Sequence, residues 1–285
     1  MSEETSLEEL VALFDLETID TDLYRGRQAR TTRPRVFGGQ VAAQALCAGI
    51  HTVDPAYVVH SMHSYFLLPG DPQVPIVYDV ERIRDGRSFL TRRVAARQHG
   101  RPIYYLTANF QVPEDGLEHQ DLMPDVVDPE DAVDMVEMMR NTGRAEAEAL
   151  AKEWGALGAR WVGASGRGLP EDPVHPSRSR LWLRVDGDLG DDPTTHLAAF
   201  TYASDISLLG ASLSAHGVTP DQVQMASLDH TIWFHQPFRA DEWWLYDQVS
   251  PAARGGRGLS LGRVFTRDGT LVATVAQEGL IRPRH

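Results

Sequence analysis

Cysteine is almost missing from this chain of 285 residues, with Cys47 standing alone. A single thiol excludes an intramolecular disulfide framework and a cysteine-built zinc site. Lysine is equally scarce: Lys152 is the only one, and every other base is arginine. Arginine suits bidentate phosphate contacts, so a phosphate-bearing ligand is compatible with this composition without being indicated by it. Basic charge as a whole is in deficit, 27 Lys+Arg against 40 Asp+Glu, for a net charge of −13. That balance argues against general affinity for nucleic acid or an anionic membrane. No apolar stretch reaches the ~18 uninterrupted residues of a membrane-spanning helix. The opening MSEETSLEEL has neither the basic region nor the apolar core of a secretory signal, so a cytoplasmic protein is expected. Also absent are a GxSxG elbow, a GxxxxGK[ST] loop, a dinucleotide-binding glycine pattern and HExxH. Serine-hydrolase, nucleotide-triphosphatase and zinc-protease chemistries lose their usual supports.

What is present is an ordinary globular composition, 42% apolar and 24% charged, sufficient for a real core. Ser6-Leu7-Glu8-Glu9 is a capping-box pattern opening a short amphipathic helix over residues 6–14. The arginine-rich stretch YRGRQARTTRPR reads as loop. From Val36 to Ile50 the chain carries no charge and is rich in alanine, the signature of a helix buried on nearly all sides. Four strand-like segments follow, at 58–68, 74–84, 88–98 and 103–112, separated by the turn signals PGDP, RDGR and HGRP. The acidic, proline-broken region 116–175 reads as a linker with one or two helices. The pattern then returns. A strand at 178–187 precedes a second long, nearly uncharged helix over 195–216, and four more strand-like segments end the chain.

The two halves also match locally. YFLLP (65–69) mirrors WFHQP (233–237), DGRSF (85–89) mirrors GGRGL (255–259), and HGRPI (99–103) mirrors RDGTL (267–271), all 168 to 170 residues apart. Three matches near one offset indicate an internal duplication. A sheet that follows a single uncharged helix is most simply wrapped around that helix. The expected fold is therefore α+β, a double hot-dog: an N-terminal unit over 1–115, the linker over 116–175 and a C-terminal unit over 176–285. Two such units can pair their sheets edge to edge.

Candidate chemistry lies in polar groups in apolar surroundings. Asp205 is the only charged residue between His196 and His216. Helical spacing puts it near Leu197, Thr201, Leu208 and Ser212, where a buried carboxylate must be hydrogen-bonded. It is either a structural aspartate beside Ser204 and Ser207 or a carboxylate held to orient or deprotonate a water. Gln277 alternates with Leu271, Ala273, Val275 and Ile281 on the apolar face of the last strand, where an amide needs partners. Ser227, before LDHTIWFH, carries little signal alone. His60 and His63, like His230 and His235, have spacings that put each pair on opposite strand faces, poor for shared metal ligation. Arg82, Arg84, Arg87, Arg92 and Arg93 surround one hairpin, and Arg254, Arg257 and Arg263 the mirrored one. They read as a solvated edge or as phosphate contacts.

The strings RVFGGQVAAQAL (35–46), HSMHSYFLLPGDPQVPIVYDVERIRDGRSFLTRRVAARQHGRPIYYLTANFQ (60–111), LDHTIWFHQPF (228–238) and TVAQEGLIR (274–282) resemble the type II acyl-CoA thioesterase family. The resemblance implies a double hot-dog enzyme that hydrolyses medium- to long-chain acyl-CoA to CoA and a carboxylic acid, with no covalent acyl-enzyme, no cofactor and no metal. It also implies an assembly of two or four copies. The family's catalytic aspartate, hydroxyl residue and glutamine match Asp205, Ser227 and Gln277; serine stands where many members have threonine, losing the β-branch that restricts the rotamer. The mirrored positions Gln40, Gln44 and Asn109 are uncharged, so the first unit is expected to shape the acyl tunnel. Two alternatives remain: a hot-dog enoyl-CoA hydratase, whose DxNPxH-like turn Asp192-Pro193-Thr194-Thr195-His196 imitates poorly, and a non-catalytic acyl-CoA-binding protein.

Overall fold

The computed structural model describes residues 6–141, 154–164 and 176–284, together with 148, 151 and 174. Helix α1 (Ser6–Phe14) buries Leu10, Leu13 and Phe14. Helix α2 (Gly38–Ile50) is buried along nearly its whole length, as its lack of charge requires. Its alanines favour helix, but its N-cap position is Phe37, which supplies no side-chain cap. The first amide N–H groups of α2 are therefore open to a partner from elsewhere.

Fourteen strands among the described residues form one sheet. In the first half these are β1 (Glu17–Asp20), β2 (Leu23–Gly26), β3 (Val58–Phe66), β4 (Ile76–Asp85), β5 (Phe89–Gln98) and β6 (Arg101–Gln111). In the second they are β9 (Ser179–Val185), β10 (Val223–Ser227), β11 (Asp229–Phe234), β12 (Trp244–Arg254), β13 (Arg257–Thr266) and β14 (Leu271–Pro283). Between them lie β7 (Val133–Asp134) and β8 (Leu157–Ala164). The order is β1-β2-β4-β5-β6-β3-β11-β14-β13-β12-β9-β8-β7, with β10 pairing β14. Read outward from the centre, β3-β6-β5-β4-β2 on one side repeats β11-β14-β13-β12-β9 on the other. The duplication seen in the sequence is thus a duplication of topology, and the fold is a double hot-dog.

Each half wraps its sheet around one helix, α2 in the first and α4 (Pro193–Ser204) in the second. Asp192 caps α4 by accepting from the Thr194 N–H at 3.1 Å, with Pro193 as its first residue. The two halves join through antiparallel β3 and β11, with His63 opposite Thr231 and Met62 opposite Ile232. Behind this seam α2 and α4 touch closely: a Cβ on Gly39 would stand 2.3 Å from the Tyr202 carbonyl oxygen.

Three expectations change. The arginine-rich stretch is not all loop, because Leu23–Gly26 form β2 and pair with β4 while Tyr24 turns its ring into the core. The linker holds a helix, α3 (Met135–Asn141), but also the eight-residue strand β8, which extends the second half-sheet beside β9. Most of AEAEALAKEWGAL (145–157) and of GASGRG (163–168) lies outside the described residues. The segment preceding α3 also has a structural task. Met123, Val126 and Ala132 cover Trp182, Leu245 and Phe265 on the outer face of the second half-sheet, and the Trp182 indole donates to the Val127 carbonyl at 2.9 Å.

The third change concerns 195–216. Helix α4 stops at Ser204, and Asp205 is its C-cap with φ −87° and ψ −4°. A 3-10 turn (Leu208–Gly210) and a four-residue helix (Ala211–Ser214) follow. The Ser204 hydroxyl donates back to the Thr201 carbonyl at 2.9 Å, a local bond that competes with helix continuation. Asp205 therefore sits in a turn rather than mid-helix.

Candidate active site

The structure brings Asp205, Ser227 and Gln277 together. The Gln277 amide Nε2 donates to Asp205 Oδ1 at 2.6 Å and to Ser227 Oγ at 3.0 Å. A carboxylate only accepts, so this contact fixes which end of the amide faces it. Gln277 is fully buried on the inner face of β14 beside Ala273 and Val275. Ser227 ends β10 opposite Gly279 of β14. Asp205 and Ser227 are half-buried, and Gln277 beside them is fully buried.

A fourth partner comes from the other half of the chain. The Gly39 N–H at the start of α2 lies close enough to the Asp205 carboxylate to pull its pKa down, at a helix end where Phe37 supplies no side-chain cap. Gly38 lies equally near, since a Cβ there would meet Asp205 Oδ2 at 2.6 Å. The positive end of the α2 dipole favours a negative charge at this point. Burial nevertheless dominates and pushes the Asp205 carboxyl up from 3.8 to about 6, against the opposing pull of Gln277, Gly39, Arg33 and Arg35. A carboxyl poised just below neutrality, beside a hydroxyl and an amide, is suited to accepting a proton from a bound water.

The turn that carries Asp205 is held from beneath. His230 is fully buried and its Nε2 lies 2.9 Å from Ser204 Oγ; burial pushes its imidazole down to about 4, so it stays neutral. The Tyr246 hydroxyl donates to the Ser204 carbonyl at 3.2 Å, and Gln248 Nε2 donates to Ser207 Oγ at 2.6 Å. Neither Gly39 nor Gln248 was identified from sequence. Gly39 belongs to the other repeat, and Gln248 lies in a strand whose inner face turns polar after Trp244 and Tyr246.

The remaining candidates are placed elsewhere. His63 is exposed, edge-on to Trp233, and His235 Nε2 contacts Thr274 Oγ1 at 2.9 Å, so neither histidine pair shares a ligand. No cluster of three potential metal ligands occurs among the described residues. Arg92 is not on a solvated edge: it is 1% exposed, and its guanidinium donates to Thr52, Asp85 and two backbone carbonyls. Arg82 pairs with Asp22, Arg257 with Glu278, and Arg263 with Asp121 and Asp247. These carboxylates occupy the groups that a phosphate contact would need. In the hydratase-like turn, Asp192 caps α4, while His196 is committed to the Gly190 carbonyl and the Ala240 N–H. Gln40 and Gln44 bond to Arg27, Gln28 and Leu13 around the entry to α2.

The carboxylate, the hydroxyl and the amide thus converge in the second unit of a double hot-dog, close to the first residues of α2. Comparison with known proteins identifies the family. Residues 172–280 match the family model described as acyl-CoA thioesterase, and residues 27–111 match the acyl-CoA thioesterase N-terminal domain. The chain is 39% identical to acyl-CoA thioesterase 2 of Haemophilus influenzae, over 97% of this chain and 98% of that one. The solved acyl-CoA thioesterase II of Mycobacterium marinum superimposes with a TM-score of 0.82 at 43% identity, covering 98% of both chains. A hot-dog protein of unknown function from Alicyclobacillus acidocaldarius shares the fold at 20% identity and a TM-score of 0.78. The chain belongs to the acyl-CoA thioesterase family, a family of thioester hydrolases.

Proposed function

We propose that this protein hydrolyses medium- to long-chain acyl-CoA thioesters by direct attack of a water held by Asp205, Ser227 and Gln277. The observation that carries this reading is the Gln277 amide, whose two N–H bonds reach Asp205 and Ser227 together. It holds the Asp205 carboxylate and the Ser227 hydroxyl against one amide group, close enough to share a water. Asp205 takes a proton from the water as its oxygen bonds to the thioester carbonyl carbon. The amides at the start of α2 lie beside Asp205 and favour negative charge on the carbonyl oxygen. Collapse of the tetrahedral species breaks the C–S bond; the thiolate is a good leaving group, so no strong acid is needed, and it then takes up the proton. Water is the nucleophile throughout and no acyl-enzyme forms. Two or four copies assemble in the working enzyme.

The test is free-thiol release from saturated acyl-CoAs of increasing chain length, with wild type beside Asp205→Ala and Ser227→Ala. Removing the general base is expected to cost on the order of 10²–10⁴ in rate, with the variant still folded. A wild type that binds acyl-CoA but releases no thiol would replace this reading with a non-catalytic binding protein. Full rate in the Asp205 variant would leave the reaction standing and overturn the site.

A further inference from the structure

The segment Asp205-Ile206-Ser207 is poorly supported by its own backbone. Regular helix hydrogen bonding ends at Ser204, and the Ile206 N–H reaches back only to Ala203, at 3.1 Å. Its geometry is therefore imposed by side chains from the sheet. On the upstream side His230 and Tyr246 hold Ser204. On the downstream side the contact is Gln248 Nε2 to Ser207 Oγ, at 2.6 Å.

Gln248 is fully buried, on the same inward face as Trp244 and Tyr246. It begins a diagonal of polar side chains across three strands, followed by Ser260 of β13 and Gln277 of β14, which are direct cross-strand partners. All three are 0% exposed. Gln248 Oε1, Ser260 Oγ and Gln277 Oε1 have no hydrogen-bond partner among the described residues. An unpaired buried polar atom costs about 1–3 kcal/mol, and an apolar side chain of similar volume at 248 would fill the space without that cost. The one bond that Gln248 makes ends on the residue two positions from Asp205.

We infer that Gln248, acting through Ser207, is a positioning residue that sets the Asp205 carboxylate against Gln277 and the Gly39 N–H. This inference rests on the proposed hydrolysis at Asp205 and deepens it. The side chain reaches Ser207 rather than the Asp205 carboxylate, and it fixes the downstream end of the turn as His230 and Tyr246 fix the upstream end. Loosening that end lengthens the hydrogen bonds that stabilise the Asp205 carboxylate, which raises its affinity for a proton and misplaces the base.

The experiment compares wild type with Gln248→Met, which keeps the shape and deletes the bond, and with Ser207→Ala, which deletes the same bond at a half-buried position where folding is less at risk. Each variant is expected to lose about 10- to 100-fold in kcat with KM little changed, in keeping with small misplacements of a catalytic group. The acidic limb of the pH–kcat profile moves to higher pH in both. The double variant is no slower than either single one, because both remove one interaction. In parallel, a carbon-13 titration of the Asp205 carboxyl reads its proton affinity without turnover. An upward movement in both variants supports the inference even if the wild type proves to release no thiol, a result that would sink the hydrolase reading alone. Unchanged kcat and unchanged Asp205 titration in Ser207→Ala would overturn the inference, whatever happens to melting temperature.

Discussion

At neutral pH Asp205 holds a charge that its surroundings disfavour, since burial pushes its carboxyl from 3.8 to about 6. A group raised on folding contributes stability that is fully present below its unfolded value, near 3.8, and lost as pH climbs through 6. The ionised Asp205 carboxylate, the base in the proposed hydrolysis, is thus a liability to the fold near neutral pH. Asp205→Asn is expected to raise unfolding free energy by about 1–3 kcal/mol at pH 7.5 while abolishing thiol release. The gain shrinks as pH falls toward 4, and denaturation curves of both proteins at several pH values check it. With Asp205 as the proposed base, kcat/KM of the wild type is expected to fall as pH drops below about 6, which a pH–rate profile checks. Asp205 was legible in the sequence because a lone charge in a long apolar stretch has few physical excuses. Gln277 was legible because alternation put an amide on a face of alanine and valine. Gln248 was not, because its face turns polar after Trp244 and Tyr246, with Ser250 next, and Asp247 puts a charge on the other face, so no apolar run brackets the amide.

Among the elements, α2 and α4 are counterparts whose C-terminal ends have diverged. At the end of α4 stands Asp205 with its turn. Just past the end of α2 stands Thr52, whose hydroxyl and carbonyl both accept from the buried Arg92. One end is filled by a fully bonded guanidinium and does no chemistry; the other is left with a half-exposed carboxylate. The N-termini differ as well, with α4 capped by its own Asp192 and α2 facing a carboxylate from the other repeat. The crossing of the two helices decides whether that contact is made. Gly39→Ala would press a methyl into the Tyr202 carbonyl, 2.3 Å from the ideal Cβ position. It is expected to cost about 1–3 kcal/mol by overpacking and to lower kcat by withdrawing the amide from Asp205, as urea midpoints and thiol release would both report. Two uncharged, alanine-rich stretches made these helices legible. Where α4 stops was not, because Ser204 and Asp205 are compatible with a helix by spacing and terminate it only through side-chain bonds to the backbone and to His230. The four-residue β2 was hidden by Arg25 and the arginines that follow it, although Arg25 is exposed while Tyr24 is buried.

For the molecule as a whole, the continuous sheet and the contact of α2 with the Asp205 turn tie the repeats into one structure. Met62 of β3 and Ile232 of β11 are both fully buried and paired across the joint. A single cooperative transition is expected on heating, with calorimetric and van't Hoff enthalpies in agreement; two resolved transitions would show that the repeats unfold separately. The duplication was visible from three short matches, and the edge-to-edge joint followed from it. That the linker would supply β8 and a cover for Trp182 was not visible, because acidic residues and prolines conceal a few apolar anchors among them. The joint has a further effect on how the protein behaves in a crowded solution. A free strand edge is a template on which other chains add and aggregate. Fusion consumes the long edges of β3 and β11 against each other, and the sheet now ends at β1, four exposed residues with two carboxylates, and at β7, only two residues long. Joining the copies in one chain leaves two short, blunted borders in place of two long ones, and with them little for a neighbouring chain to grow upon.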